Sequence, residues 1–403
     1  VEAKYFTLLQ LDPVSRNMIR TLFINKGKAD KLMHRPEGVP KTTFRKIGVV
    51  GAGLMGAGIA YHCAKLGIET VLIDRDQAAA DKGKAYSAKR LEKDIAKGRM
   101  TQDKADAILA RIHPTTDYAG LADVELVVEA VFEDRGIKAE ITRKLDAVLP
   151  AHAVIASNTS ALPISELAEA GAHPENFIGM HFFSPVERMP LVEIIRGRKT
   201  SPETLARALD LVQAMKKTPI VVNDGPGFFT SRFIGAYINE SLAMVTEGVN
   251  PALIENAAKM AGIPVGPLTV SDEIGLDTAY HASQQRKKDE GDAFKPTPTF
   301  QLVEKLVGEL GRHGRKNGKG FFEYAADGSK KLWSGLAELF PPLAEQPTVD
   351  EVKARMLYAQ LVDAAKAMAE GVLIDPADGD VGSILGVGFP AYLGGPFSMM
   401  DTI

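Results

Sequence analysis

The segment Ile47-Gly48-Val49-Val50-Gly51-Ala52-Gly53-Leu54-Met55-Gly56 constrains this chain more than any other stretch. An apolar run that ends in glycines and opens into a helix-like segment reaching Gly67 reads as strand, tight turn and helix. The glycines divide the work: Gly51 permits the turn, Gly53 lets the backbone approach a pyrophosphate, and Gly56 lets the helix pack close to the strand. Unpaired N–H groups at the helix start, with the partial positive charge there, suit an anion. A second apolar run, Glu69-Thr70-Val71-Leu72-Ile73, ends in Asp74, about twenty residues beyond the glycines, where an acid accepts hydrogen bonds from an adenosine ribose. An acid there disfavours the extra phosphate of NADP, so NAD is the expected cofactor, with Arg75 next door as the feature that favours the phosphate. The cofactor loop thus comprises Gly51, Gly53, Leu54, Met55, Gly56, Asp74 and Arg75. The competing reading is a glycine turn that binds nothing, and the complete strand-turn-helix-strand-acid unit weighs against it.

At 403 residues the chain has room for two or three domains and a large core. A net charge of −3 argues against a nucleic-acid binder, since phosphate neutralisation requires a clustered basic excess. Cys63 is the only cysteine, which excludes an intrachain disulfide and a cysteine-rich metal site, and no metal is expected. Residues 47–64 carry no formal charge with His62 neutral and approach the length of a membrane span, but the glycine turn interrupts any single helix. No basic segment with an apolar core opens the sequence, so the expected location is cytoplasmic, with no membrane span. Because residue 1 is valine, a processed or excised chain is expected.

Residues 1–43 read as a helical linker arm, with Phe6, Leu9, Leu11, Met18, Ile19, Leu22 and Phe23 as apolar positions and a breaker-rich end from His34 to Pro40. Residues 44–224 alternate strand and helix and form a Rossmann-like α/β domain with a doubly wound sheet. Its strands are expected at Ile47–Val50, Glu69–Ile73, Val124–Val131, Ala153–Ala156, Phe177–Phe183, Leu191–Ile195 and Ile220–Val222, with helices between them, one opened by Thr101 as N-cap. At Asp224-Gly225-Pro226-Gly227 the pattern turns almost wholly helical. Arg232, Glu240 and Glu247-Gly248-Val249 recur at Arg355, Asp363 and Glu370-Gly371-Val372, an offset of 123. Gly266-Pro267 and Asp272 recur at Gly395-Pro396 and Asp401, an offset of 129. The result is a duplicated all-α domain, one copy over 225–335 and a second, truncated one over 336–403. Between the copies, Arg315-Lys316-Asn317-Gly318-Lys319-Gly320 before Phe321 and Phe322 reads either as an anion-holding loop or as a solvated turn entering a strand.

Ligands of a doubly wound sheet gather beyond the carboxyl ends of its strands. Removing hydride from an alcohol requires that the hydroxyl proton leave too, and histidine is the usual acceptor. His181 stands near the end of one strand, before Ser184-Pro185, where a structural histidine is the plainer alternative. Glu193 lies between apolar neighbours on the next run, where a charge is not left unpaired, so it is expected to hold the imidazole. Ser160, after Asn158-Thr159, offers a hydroxyl to the same space, or caps the helix that begins at Pro163. Read as a nucleophilic triad, Ser160, His181 and Glu193 would make a hydrolase, but no G-x-S-x-G elbow surrounds Ser160.

These motifs, with Val127-Val128-Glu129-Ala130-Val131-Phe132-Glu133, His181-Phe182-Phe183-Ser184-Pro185 and Asp224-Gly225-Pro226-Gly227-Phe228, resemble the L-3-hydroxyacyl-CoA dehydrogenases from about Phe44 to Asp277. The arm and the duplicated helices resemble the dehydrogenase half of the bacterial multifunctional fatty-acid β-oxidation α-subunit, in which an enoyl-CoA hydratase domain precedes the arm. The resemblance implies NAD-dependent oxidation of (S)-3-hydroxyacyl-CoA to 3-ketoacyl-CoA. It makes His181 the base, Glu193 its orienting partner and Ser160 a hydrogen-bond donor to the substrate oxygen. It places Asn158, Glu133 and Lys138 at the nicotinamide half of NAD, and it leaves a homodimer and a complex with a thiolase subunit as the two assemblies. Ser231 stands where the family pattern Pro-Gly-Phe-x-x-Asn-Arg has asparagine, a shorter reach to substrate. Two rival expectations are a non-catalytic scaffold that keeps the fold, against which Ser160, His181 and Glu193 together count, and a related dehydrogenase of small hydroxy acids or sugar acids, which the His181–Glu193 arrangement disfavours.

Overall fold

The structure is a computed structural model of the 403-residue chain, described throughout except for the side chains at 282, 285, 286, 289, 290 and 292. Its core is an eight-stranded sheet: β1 (Lys46–Val50), β2 (Glu69–Ile73), β3 (Ile112–Thr115), β4 (Leu126–Glu129), β5 (Val154–Ser157), β6 (Phe177–Phe182), β7 (Leu191–Arg196) and β8 (Thr218–Asn223). The spatial order is β3-β2-β1-β4-β5-β6-β7-β8. Neighbours from β3 through β6 pair in parallel, β6 and β7 pair antiparallel, and β7 and β8 are again parallel. The chain leaves β1 toward β2 and returns on the other side at β4, so the switch point lies where the glycine turn follows β1.

The helices that frame the sheet are α1 (Leu54–Lys65), α2 (Gln77–Ala96), α3 (Gln102–Ala110), α4 (Arg135–Asp146), α5 (Ile164–Ala168) and α6 (Pro202–Ala214). The buried runs expected of central parallel strands are present: β4 and β5 are buried at every position. Asp134 accepts from Ile137 N at 2.9 Å and so starts α4, and Ser201 does the same for α6 through Thr204 N. Thr101 does occupy the N-cap position of α3, but its side chain makes no capping bond. Strand β3 is not among the strands expected from the sequence. Ile112-His113-Pro114-Thr115 contains a proline and little apolar character, which a strand tolerates at a sheet edge, and β3 is one of the two edge strands.

Contacts divide the chain into two units, Val1–Ser231 with Lys366–Val387 and Tyr392–Ile403, and Arg232–Ala365 with Gly388–Ala391. The second unit is built on α7 (Thr230–Thr246, from Arg232 onward), α8 (Pro251–Met260), α9 (Pro267–Ile274) and α10 (Val349–Ala369, up to Ala365). A hairpin of β9 (Phe322–Tyr324) and β10 (Lys330–Leu332) completes it. The repeat continues in the first unit as α11 (Pro376–Val387) and α12 (Pro396–Met400). There α11 lies against β7 and β8, and Val222 bridges to Leu373. The division therefore differs from one drawn at 225 and 335, because the latter half of the second repeat packs on the sheet. The arm belongs to the first unit as well: helical over most of 2–30, it ends in a linker fixed by Arg35, which grips the buried Asp210 carboxylate at 2.8 and 3.0 Å. Arg315 and Lys316, offered by the sequence as an anion site, are engaged by Glu273 and Asp277, so this stretch is a turn entering a strand. Among the described residues no helix is long and apolar enough to cross a membrane, and no cluster of ligating side chains could hold a metal.

Candidate active site

The turn after β1 is shaped by close approach. Gly51 has φ of 96°, and a Cβ on it would lie 2.5 Å from the Ala130 carbonyl oxygen that follows β4. A Cβ on Gly56 would lie 1.7 Å from the Gly51 carbonyl, so no other residue lets α1 sit this near β1. Around Gly53, by contrast, nothing lies within 4 Å of where a Cβ would stand, and α1 has no side-chain cap. Open space beside uncapped N–H groups at a helix start is what a pyrophosphate requires. Asp74 accepts from Ala52 N at 2.7 Å and from Arg75 N, which holds the acid against the loop. Arg75 itself is exposed and turned to Asp76 at 3.2 Å. Leu54 is exposed and Met55 half-buried. The residues at the loop therefore fit NAD.

At the carboxyl ends of β4 and β5 a second set of groups is knitted together. Glu129, 2% exposed at the end of an apolar stretch, receives Lys138 Nζ at 2.9 and 3.1 Å, Ser157 Oγ at 2.7 Å and Val131 N at 2.7 Å. Lys138 is also 3.3 Å from Glu133, whose other oxygen accepts from Thr159 Oγ1 at 2.5 Å and Ser160 N at 3.0 Å. Lys138, expected beside the nicotinamide, is 1% exposed and engaged by both Glu129 and Glu133. Asn158 Oδ1 accepts from Phe182 N at 2.9 Å and ties the end of β5 to β6, one residue from His181. The Ser160 side chain is exposed. It does not cap α5: the Ile164 and Ser165 N–H groups donate to Asp224 at 3.0 and 2.7 Å, and Thr159 Oγ1 takes the N–H groups of Ala161 and Leu162.

His181 and Glu193 face each other across the antiparallel β6–β7 pair, in direct register. Nδ1 of His181 is 2.9 Å from Glu193 Oε2, and the Phe183 ring packs tilted against the imidazole, with ring centres 4.6 Å apart and planes at 44°. Glu193 is fully buried. Its Oε1 accepts from Phe229 N at 2.9 Å and Thr230 N at 3.0 Å, and its Oε2 accepts from Thr230 Oγ1 at 2.5 Å. A turn with Gly227 at φ 69° and Phe228 at φ 49° aims those two N–H groups at the carboxylate. A carboxylate only accepts, so the His181 proton on this side sits on Nδ1, and Nε2 is left with a lone pair. Ser231 follows Thr230 and is half-buried. Sequence reasoning does not single out Glu129, Thr159, Asp224 or Thr230. For Glu129 a signal exists, a charge at the end of the apolar stretch Leu126-Val127-Val128 with a lysine nine residues on.

Two family models match the chain: 3-hydroxyacyl-CoA dehydrogenase, NAD binding domain, over residues 46–225, and 3-hydroxyacyl-CoA dehydrogenase, C-terminal domain, over 227–324. A fatty acid oxidation complex subunit alpha of Shewanella baltica is 39% identical over 408 residues, an alignment that takes in all of this chain and 57% of the relative. The chain therefore spans little more than half the length of such relatives. Among solved structures, an (S)-3-hydroxybutyryl-CoA dehydrogenase from Ralstonia eutropha is 37% identical with a TM-score of 0.65, covering 70% of this chain and all of that one. A 3-hydroxybutyryl-CoA dehydrogenase from Escherichia coli is 25% identical with a TM-score of 0.74, covering 89% of this chain and 92% of that one. With both domain models in chain order over the sheet and the helices that follow it, and with the dinucleotide loop and the His181–Glu193 pair in place, this chain belongs to the 3-hydroxyacyl-CoA dehydrogenase family.

Proposed function

We propose that this chain carries out NAD-dependent oxidation of (S)-3-hydroxyacyl-CoA to 3-ketoacyl-CoA, as the dehydrogenase portion of a multifunctional fatty-acid β-oxidation protein. The observation that carries the reading is the 2.9 Å contact between His181 Nδ1 and a fully buried Glu193 that is held from four directions. It leaves the Nε2 lone pair free to act as a base, with the imidazole held in orientation by the carboxylate behind it. Bound NAD supplies the hydride acceptor for C3. His181 takes the 3-hydroxyl proton as the C3–O bond becomes a carbonyl, Ser160 Oγ donates to the substrate oxygen, and Ser231 orients the substrate from the start of α7. Glu133 and Asn158 face the nicotinamide half, Asp74 the adenosine ribose, and the backbone at Gly53, Leu54 and Met55 the pyrophosphate. Lys138 sets the position of Glu133.

The substrate class is supported by the solved relatives, both of them 3-hydroxybutyryl-CoA dehydrogenases. A preceding hydratase domain and a thiolase partner, or a homodimer in its place, are in keeping with relatives that are subunits of a fatty acid oxidation complex. Relatives of that kind from bacteria also support a cytoplasmic location. The test is NADH formation with 3-hydroxyacyl-CoA thioesters of increasing length, with NADP as control. His181→Gln is expected to lower turnover at least roughly a hundredfold and to leave NADH binding nearly intact. Turnover unchanged by His181→Gln, or none on any thioester with the unsubstituted chain, refutes the reading.

A further inference from the structure

We propose that Thr230 is a positioning residue of the proton relay, its hydroxyl sharing the Glu193 oxygen that His181 uses and so setting how strongly the carboxylate draws on the imidazole. The inference rests on the dehydrogenase reading above only for its consequence on turnover; the geometry stands apart from it. Thr230 is fully buried at the first residue of α7, and its Oγ1 is 2.5 Å from Glu193 Oε2 and 3.5 Å from His181 Nδ1. The direction of the bond is forced. Glu193 has no proton to give, so Thr230 donates, and the lone pairs of its oxygen turn toward His181 Nδ1. The Nδ1 proton is directed to Oε2 at 2.9 Å, and the Thr230 oxygen at 3.5 Å is too far to compete as its acceptor, so the hydroxyl leaves undisturbed the tautomer in which Nε2 is the base.

The same bond acts on the carboxylate. Oε2 divides its accepting capacity between Thr230 and His181, while Oε1 is occupied by the N–H groups of Phe229 and Thr230. Removing the hydroxyl leaves the imidazole as the only donor at Oε2 among the described residues. The carboxylate then favours the protonated imidazole more strongly, because a hydrogen bond to the charged form favours that form. The family pattern Pro-Gly-Phe-x-x-Asn-Arg leaves this position open, and here it precedes Ser231 in the asparagine place.

Among the described residues, the groups that bear on the pair are these. From β7 the group facing His181 is Glu193, from α7 the backbone N–H groups with Thr230, from β5 the neutral Asn158 through Phe182 N, and on its own strand the ring of Phe183. Helix α11, packed on β7 and β8, carries Asp378 and Asp380; the first is held by His34 and the second by Phe397 N and Ser398.

The experiment compares Thr230→Val, which keeps the shape, and Thr230→Ser, which keeps the hydroxyl, in the full chain. The first readout needs no activity: NMR titration of the His181 imidazole in the free protein, with His181→Gln identifying the resonance. Thr230→Val is expected to move the titration midpoint to higher pH by about 0.5 unit or more, within the spread of about one unit that surroundings impose on histidines in folded proteins. Thr230→Ser keeps it in place. Thr230→Ala, also without the hydroxyl, replaces the valine variant if that one does not fold. With 3-hydroxyacyl-CoA and NAD, the acid limb of kcat/KM moves the same way, and NADH affinity measured by fluorescence changes less than about twofold, far below a tenfold step. An unmoved midpoint without the hydroxyl, or an equal shift in Thr230→Ser, overturns the proposal. A moved midpoint in a chain that turns over no thioester supports it and counts instead against the dehydrogenase reading.

Discussion

Lys138→Met tests the buried network at the ends of β4 and β5. Lys138 and Glu129 are 1% and 2% exposed, and Lys138 Nζ lies within 3.1 Å of both Glu129 oxygens. Deleting one partner of a buried ion pair leaves the other charge uncompensated, at about 3–5 kcal/mol. Glu129 would keep Ser157 Oγ and Val131 N, each at 2.7 Å, which points to the lower end, ~3 kcal/mol. At about 2–4 °C per kcal/mol for a unit of this size, the melting temperature falls by roughly 6–12 °C. Methionine fills most of the lysine volume, so the loss is electrostatic and not a cavity. The paired variant Glu129→Gln with Lys138→Met removes both buried charges and is expected to lose less than half as much, since the carboxylate that then lacks Lys138, Glu133, is partly exposed. The assay is thermal unfolding of the full chain by circular dichroism, with NADH titration alongside, because Glu133 loses its 3.3 Å anchor. A single variant melting within about 2 °C of the unsubstituted chain, or a paired variant less stable than the single one, would refute the reasoning.

Two further outcomes follow from the same geometry. Asp74→Ala is expected to weaken NAD more than NADP in direct binding titrations, since it removes both the ribose acceptor and the charge that opposes a 2′-phosphate; equal losses would mean that Asp74 does not read the ribose. His34 Nε2 meets the buried Asp378 carboxylate at 2.7 Å, which raises the imidazole above its usual range, while burial raises Asp378. Both groups hold protons more tightly folded than unfolded, so stability falls as pH rises through the raised values. The melting-temperature difference between the unsubstituted chain and His34→Gln should then be largest below the ordinary histidine value of about 6.5 and shrink as pH rises well above it; a difference independent of pH would sink the argument.

Much of this molecule is legible in the sequence because its signals are local. Seven of eight strands are apolar runs bounded by turn residues, and the loop from Gly51 to Gly56 carries its reason in residue type alone. The pairing of His181 with Glu193 is legible too, since a carboxylate between Leu191, Val192, Ile194 and Ile195 has to be paired somewhere, and the preceding strand holds an apt partner. What escapes depends on distant parts of the chain. Strand β3 exists because an edge position forgives Pro114. Asp224 caps a helix sixty residues earlier, so Ser160 is not needed there. Thr230 has an ordinary N-terminal helix position in sequence, and only the turn through Gly227 and Phe228 brings it onto Glu193.

The duplication shows how one design came to serve two ends. Arg232 pairs with Asp363 at 3.0 Å, and Arg355 pairs with Glu240 at 2.6 Å and with Glu247. Since Arg232 corresponds to Arg355 and Glu240 to Asp363, the two bridges are exchange partners, as helices related by a two-fold axis require. Farther along, Glu255 accepts from Leu268 N, Thr269 N and Thr269 Oγ1, and Asp380 accepts from Phe397 N, Ser398 N and Ser398 Oγ. These acids correspond at an offset of 125, as do Pro251 and Pro376, so the shift from 123 to 129 arrives in two steps rather than in one loop. A buried acid capping the next helix also explains the repeated glycine: a Cβ on Gly266 would fall 2.3 Å from Glu255 Oε2, and one on Gly395 would fall 2.5 Å from Asp380. Where the copies differ, the arm is involved. Leu253 gives way to Asp378, which receives His34, and Asp272, which holds Phe321 N and Phe322 N, gives way to Asp401, which receives Arg20 at 2.7 Å. Thr21 Oγ1, fully buried, donates to the Gly394 carbonyl between them. The second copy has kept the internal capping that makes the fold, and its Asp378 and Asp401 are engaged by residues of the arm, in keeping with a latter half that clusters with residues 1–43 and the sheet.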